Sequence, residues 1–274
     1  MKSMIKRLIY LLKAFFKIRW IKTFRVNFAC LPFRQAIKFP VVVTGKLIID
    51  SLKGRIIINA PIEFGMINIG RDIDNMPIAA CPARIFIGGA LVFNGHAIIN
   101  QGTNVCVWES GRIEVGHCVI IASGILLKSA CSIQIGDYTR LASGCFVMDT
   151  NVHAVKDVET GLIAKNFAPI IIGSHCWLTM NTSVTAGAVI PNFCITARGS
   201  FMNKDYRKIC DEGTMLGGSP AKPLKNNMRR LFDYKIELLI NEYFKENNDS
   251  RFYQSYKGYD ELEESAVVKQ FTIY

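Results

Sequence analysis

An all-β solenoid, a coil with three flat faces, is predicted by three observations. The chain has a six-residue period, a fixed place for small residues within it, and one long interruption. From residue 87 the sequence divides into sixes that begin with an aliphatic or aromatic residue: IGGALV, FNGHAI, INQGTN and VCVWES. After a four-residue slip come VGHCVI, IASGIL and LKSACS, and after a two-residue slip IGDYTR, LASGCF and VMDTNV. After a gap of nineteen residues the frame resumes with IGSHCW, LTMNTS, VTAGAV, IPNFCI and TARGSF. Internal repeats of this kind take precedence over residue-by-residue assignment.

A period of six matches neither the helical 3.6 nor the simple strand period of 2. It fits six residues per face and eighteen per turn. First-position aliphatics then point inward and stack on the next coil, while the small fifth position fits the corner. No single coil buries its inward row alone, so stability comes from stacked neighbours. A β-sandwich is the competing architecture, but it needs alternation and turn clusters every 8–12 residues. Fifteen blocks in frame speak against it. The first coils are expected near residue 41, with a Gly- and Pro-bearing irregular stretch at 59–84.

The flanks differ from the coil. Residues 1–55 hold thirteen Lys or Arg against the single acid Asp50, so this segment carries +12 of a chain total of +11. The remainder is nearly neutral, and nucleic acid is not expected as a partner. Within a basic segment 1–40, Ile5, Leu8, Ile9, Leu12, Phe15 and Phe16 share one helical face beside Lys2, Lys6, Lys13 and Lys17. Such a basic amphipathic helix reads as an anchor to an anionic membrane surface, with packing on the protein as the alternative. At the other end, 226–274 reads as a helix over MRRLFDYKIELLINEYFKEN followed by an acidic, aromatic tail.

At 274 residues, half of them apolar, the chain can bury a substantial core in one or two domains. No apolar run reaches the roughly 18 residues of a spanning helix, and the start lacks a signal-peptide cleavage pattern. The nine cysteines are odd in number and include no C-x-x-C pair. Cys131, Cys145, Cys176 and Cys194 all occupy the fifth position, which suits small buried thiols better than bridges or metal ligands.

The interruption reads VMDTNVHAVKDVETGLIAKNFAPIIIG, Val147 to Gly173. A rod filled with stacked side chains has no cavity, so chemistry requires a loop that leaves it, with reactive groups at the loop's root. The extruded loop 148–170 opens with Asp149 and His153. An imidazole titrates near neutrality and suits removal of a proton from an attacking group. Asp149 either orients that imidazole or caps a turn. His96, His117 and His175 lie mid-block on separate coils and read as outward-facing surface residues. No two histidines are close in sequence, so no zinc site is expected.

The run IIIGSHCWLTMNTSVTAGAVIPNFCITARGSFMNKD, followed by LGGSPAKPLK, resembles the closing coils and Pro-Ala-Lys exit of the hexapeptide-repeat acyltransferases. The likeness is nearest to the capsule, lipopolysaccharide, galactoside and maltose O-acetyltransferases, and it covers about residues 85 to 225. It implies a left-handed parallel β-helix over 41–225, acetyl-CoA as co-substrate without a metal, a homotrimer, and a general base at the loop root, here His153. Trp177 matches a residue on the acceptor side of the site, and Lys204, Lys222 and Lys225 match basic positions near the coenzyme phosphates. Met180, Gly187, Arg198 and Ser200 complete the implied groove. Met180 replaces the family's small residue, Arg198 interrupts a Gly-Ala-Gly corner, and YRKICDEGTML lengthens the exit. The implied activity is O-acetylation of a sugar hydroxyl on a surface polysaccharide or its lipid-linked or nucleotide precursor. The implied place is cytoplasmic, peripheral on the inner face of the membrane. N-acetylation of an amino sugar and a catalytically silent scaffold remain open.

Overall fold

A computed structural model describes residues 15–72 and 81–254. Its body is a left-handed parallel β-helix with three sheets. The first sheet stacks Val41–Val43, Ile67–Arg71, Ala97–Asn100, Val119–Ile121, Arg140–Leu141, Trp177–Leu178, Ile195–Thr196 and Met215–Gly218. An antiparallel strand, Ala221–Lys225, closes it. The second sheet runs from Leu47–Leu52 to Phe201–Met202, and the third from Arg55–Ile58 to Val189–Ile190.

The register accounts for the slips in the sequence frame. Ile121 pairs with Ile99, 22 residues earlier, and Leu141 pairs with Ile121, 20 residues earlier. Leu178 pairs with Leu141 across 37 residues, the coil that carries the interruption, and Ile195 pairs with Trp177 across 18. The four- and two-residue slips are therefore corners that lengthen a coil without moving its inward row. Every first-position residue from Ile87 to Thr196 is buried.

Second-position glycines have a steric cause. A Cβ on Gly116, Gly136 or Gly173 would stand 2.6, 2.4 or 2.6 Å from the backbone nitrogen of the next coil. The corner itself differs from expectation. Its left-handed backbone falls on the fourth position, at Gly102, Gly124, Gly144 and Gly187 but also at Cys118, Tyr138, His175, Asn181 and Phe193. The fifth position instead turns inward, which buries Cys145, Cys176 and Cys194 and half-buries Cys131.

The stretch expected to be irregular at 59–84 contains a strand, Ile67–Arg71, whose Ile67 and Ile69 point into the core. Alternation over a few residues suffices because strands already lie on both sides of it. Residues 73–80 lie outside the described residues.

Both ends of the rod are covered. Residues 1–14, most of the amphipathic helix expected at 4–16, lie outside the described residues. A helix at Trp20–Cys30 and a short one at Phe33–Ala36 follow. The longer helix buries Thr23, Val26, Asn27 and Cys30 against the first coil. Asn27 Nδ2 donates to the Val41 carbonyl at 2.7 Å, and its Oδ1 accepts from the Val41 N–H at 3.2 Å. The Val43 N–H donates to Thr23 Oγ1 at 3.0 Å. These side chains satisfy the free edge of the first strand, where an unpaired backbone would be open to further pairing. At the far end the helix expected over 228–247 is Tyr234–Glu246 only. Residues before it cross the rod, with Phe232 packed on Ile98, Cys118 and Tyr138. Asp233 then starts the helix by accepting the Lys235 N–H at 2.8 Å.

Candidate active site at the interruption

The interrupting segment leaves after Phe146–Met148 in the second sheet and returns at Ile170–Ile172 in the third. It folds back on itself through antiparallel bridges between Thr150 and Phe167 and between Lys156 and Ile163. Its tip turns on Asp157, whose Oδ1 accepts the Glu159 and Thr160 N–H groups at 2.9 and 3.1 Å. These bonds hold the Asp157 carboxyl below the usual carboxylate range. The result is an arm. It is more apolar than its composition suggested, with Val155, Val158, Leu162 and Ile163 exposed on the single chain.

Asp149 is fully buried at the root. Its carboxylate accepts from Ser129 Oγ at 2.7 Å, the Ala130 N–H at 2.8 Å and the Cys131 N–H at 3.0 Å, all on the preceding coil. Among the described residues no hydrogen bond joins Asp149 to His153. These three bonds are those of a turn cap, one of the two roles open to Asp149. The reason is that the strand carrying Asp149 stacks on the strand ending at Ser129, so the nearest donors belong to that corner.

His153 is exposed at the base of the arm. Its backbone N–H donates to the Asn151 carbonyl at 2.7 Å, and among the described residues its imidazole makes no hydrogen bond. The preceding residue, Val152, has φ of 65°, a left-handed conformation that is strained for a β-branched side chain. Two residues impose it. The Val152 N–H donates to Thr150 Oγ1 at 3.0 Å, and Asn166 Nδ2 donates to the Val152 carbonyl at 3.1 Å. Thr150 and Asn166 thus fix the direction of the chain at His153. Neither was singled out from the sequence, because no local pattern predicts positive φ at a valine.

The implied cofactor residues divide among three surfaces of the rod. Gly187, with φ of 81°, and Lys204 lie at the corner between the second and third sheets, where the arm also leaves. A Cβ on Gly187 would approach Ala168, on the returning strand of the arm, to 3.8 Å. Met180, Arg198 and Ser200 lie at the corner between the first and second sheets, where the Met180 carbonyl accepts the Gly199 N–H at 3.0 Å. Arg198 is exposed, while Ser200 is buried and donates to the Ala197 carbonyl at 2.5 Å. Trp177, Lys222 and Lys225 belong to the first sheet, the face opposite His153. A triangular coil with six residues per side separates a corner from the facing sheet by roughly 15 Å at about 3.3 Å per residue. Trp177 is also covered by its own chain, with the Arg230 guanidinium 4.8 Å from its ring centre. Burial there holds the Arg230 pKa below the usual guanidinium range.

The remaining histidines are not isolated surface residues. His96 and His117 have ring centres 5.5 Å apart, His117 and Tyr138 5.7 Å, Tyr138 and His175 5.0 Å, and His175 and Phe193 4.7 Å. They form one half-buried column because stacked coils align the fourth positions His96, Tyr138, His175 and Phe193, and His117 joins from the third position beside Cys118. Among the described residues no group of three or more His, Cys, Asp or Glu side chains is placed to hold a metal ion.

No family model matches the sequence. A Mycobacterium tuberculosis protein named as a probable acetyltransferase is 25% identical over 123 residues, 43% of this chain and 38% of that protein. The polysialic acid O-acetyltransferase of Escherichia coli is 22% identical over 140 residues, 51% of this chain and 44% of that enzyme. The chain thus spans less than half the length of these curated relatives. Among solved structures, the polysialic-acid-specific acetyltransferase NeuO gives a TM-score of 0.38 at 19% identity, covering 76% of this chain and 92% of that one. The N-acyltransferase AntD from Bacillus cereus, in complex with dTDP and 3-hydroxybutyryl-CoA, gives 0.42 at 17% identity, covering 76% and 88%. The three-sheet coil and its six-residue repeat define a left-handed β-helix of the hexapeptide type. Over about half of its length the chain is similar in sequence to these acetyltransferases.

Proposed function

We propose that the protein is an acetyl-CoA-dependent O-acetyltransferase acting on a sugar hydroxyl of a surface polysaccharide or its lipid-linked or nucleotide-linked precursor. The observation that carries this reading is His153, held on a strained backbone at the root of an arm that leaves an otherwise filled rod. The polysialic acid O-acetyltransferase among its relatives supports an acceptor of the glycan class. Acetyl-CoA supplies an activated thioester. The His153 imidazole takes the proton of the sugar hydroxyl as its oxygen attacks the thioester carbonyl. A C–O bond forms, the C–S bond breaks, and the proton passes to the departing thiolate.

The residues available for the coenzyme fit its chemistry. Lys204, Lys222, Lys225 and Arg198 are exposed cations for its phosphates, and the Gly187 corner offers backbone without a side chain. In one chain the arm and the first sheet are on opposite sides of the coil, so a shared site needs a second copy. A homotrimer, a closed cyclic arrangement, supplies it by setting the arm of one chain against the first sheet of the next. The exposed apolar residues of the arm support that packing. No helix among the described residues is long and apolar enough to cross a membrane. The proposed location is the cytoplasmic side of the membrane, held peripherally by the basic N-terminal segment.

The test is transfer of labelled acetyl from acetyl-CoA to a purified polysaccharide. His153→Ala is expected to lower turnover by about 100-fold or more, with coenzyme affinity nearly unchanged. Label released by mild base marks an O-ester. Wild-type turnover in folded His153→Ala removes the base assignment, and base-stable label places the acetyl on nitrogen.

A further inference from the structure

The helix that closes the rod has two faces of different chemistry. Thr23, Val26, Asn27 and Cys30 turn toward the first coil and are buried. At 100° per residue the opposite side is formed by Ile21, Phe24, Arg25 and Phe28. Ile21 is 78% exposed, and Phe24 and Phe28 are 47% and 43% exposed although their rings stack at 5.8 Å. Phe33 extends the same surface, with its ring centre 6.1 Å from that of Phe28. This contiguous apolar face points away from the rod along its axis. Phe24 and Phe28 meet Phe39 edge-on, with ring centres 4.9 and 6.0 Å away, while the contacts that cap the first coil are made by the buried side.

Around these rings the charge is of one sign. Residues 15–39 contain Lys17, Arg19, Lys22, Arg25, Arg34 and Lys38 and no acid. All but Lys22 are exposed. A second copy of the same face would meet this one with five exposed cations against five, which opposes end-to-end pairing. A surface that is negative outside and apolar within satisfies both features at once. Aromatic rings enter the boundary between headgroups and acyl chains while Lys and Arg remain at the phosphates.

We infer that the outer face of the end-cap helix, centred on Ile21, Phe24 and Phe28, is the surface by which the protein docks on an anionic lipid leaflet, with the rod standing on its N-terminal end. The inference deepens the membrane location proposed above and does not depend on the acetyl-transfer chemistry. It assigns the docking to the described helix rather than to the stripe at 4–16 alone. Because the arm departs four coils farther along, at about 4.8 Å per coil, it is held about 19 Å beyond the first coil. The site is therefore presented to the solution side of the leaflet and not to the lipid headgroups.

Co-sedimentation of the full chain with phosphatidylcholine vesicles, with and without phosphatidylglycerol, tests this. Binding is expected to phosphatidylglycerol vesicles and to fall at least about tenfold when salt rises from about 0.05 to 0.5 M. The triple variant Ile21→Ser, Phe24→Ser, Phe28→Ser spares the side chains that cap the first coil and is expected to lose binding while keeping the wild-type circular dichroism spectrum. A second variant, Lys17→Gln, Arg25→Gln, Lys38→Gln, leaves the apolar face intact and is expected to weaken binding. Bromine-labelled lipid is expected to quench Trp20 in a Trp108→Phe, Trp177→Phe background and not Trp108 in the converse one. Absence of wild-type binding at low salt, retained binding in the serine variant, quenching of Trp108 instead of Trp20, or equal binding to neutral vesicles overturns the inference. So does displacement from vesicles into a stable complex by a single-stranded oligonucleotide. Acetylation of a soluble acceptor, measured alongside, reports on the catalytic reading separately.

Discussion

Replacing Asp149 by Asn separates two roles that look alike in sequence. The buried carboxylate accepts three hydrogen bonds, Oδ1 from the Ala130 N–H and Oδ2 from Ser129 Oγ and the Cys131 N–H. An amide of the same shape keeps one acceptor and turns an NH₂ group toward the other donor. With its oxygen at the Oδ2 place it retains two bonds and leaves the Ala130 N–H facing another N–H. An unsatisfied buried donor costs about 1–3 kcal/mol, and the remaining bonds lose their charge assistance. The expected local loss is about 2–3 kcal/mol. In a solenoid this appears as local opening rather than as a shift of one global transition. At about 1.4 kcal/mol per tenfold, amide exchange at Ala130 and Cys131 is expected to accelerate by about 30-fold or more in the variant. Turnover falls with it, because the Asp149 carbonyl also accepts the Ala168 N–H at 3.0 Å and so ties the returning arm. Wild-type exchange at Ala130 and Cys131 together with lost turnover refutes the turn-cap assignment and returns the carboxylate to His153.

Other outcomes follow from the same geometry. Val152→Gly removes strain of about 1 kcal/mol or more and is expected to raise the melting temperature while lowering kcat, since His153 is then less firmly directed; unchanged kcat counts against positioning. Gly136→Ala puts a Cβ 2.4 Å from the Ser174 nitrogen and is expected to cost about 3 kcal/mol or more. Gly199→Ala meets nothing within 4 Å and costs only the left-handed backbone at φ 73°, about 1–2 kcal/mol, so denaturation midpoints that rank the pair oppositely reject the coil-contact account. Burial pushes the thiols of Cys145 and Cys194 up to about 12, so iodoacetamide at pH 8 is expected to label exposed Cys81 and leave these two unmodified until the chain is denatured.

The six-residue period carried most of the fold. An inward residue is set by its place in a repeating block, and neighbouring blocks confirm one another, so Ile87, Leu127 and Val184 were legible without coordinates. The loop root was legible for the same reason, since a rhythm that strict shows where it breaks. The amphipathic reading of the N-terminus emphasised residues 4–16 and passed over Trp20–Cys30, whose helix is recognised by the bonds of Thr23 and Asn27 to a strand edge some 14 to 20 residues away.

What lay beyond the pattern depends on coil length and on which side of a triangle each residue occupies. Asp149 finds its donors one coil back, 18 to 20 residues away, and Arg230 reaches Trp177 from another part of the chain. The histidine column exists because corners of four and two extra residues keep equivalent positions aligned. The division of His153 and Trp177 between a corner and the opposite sheet follows from three faces closing into one coil. Periodicity is a property of nearest neighbours along the chain and survives in the sequence. Juxtaposition across coils is a property of the closed path, and it appears only when every intervening residue has taken its place.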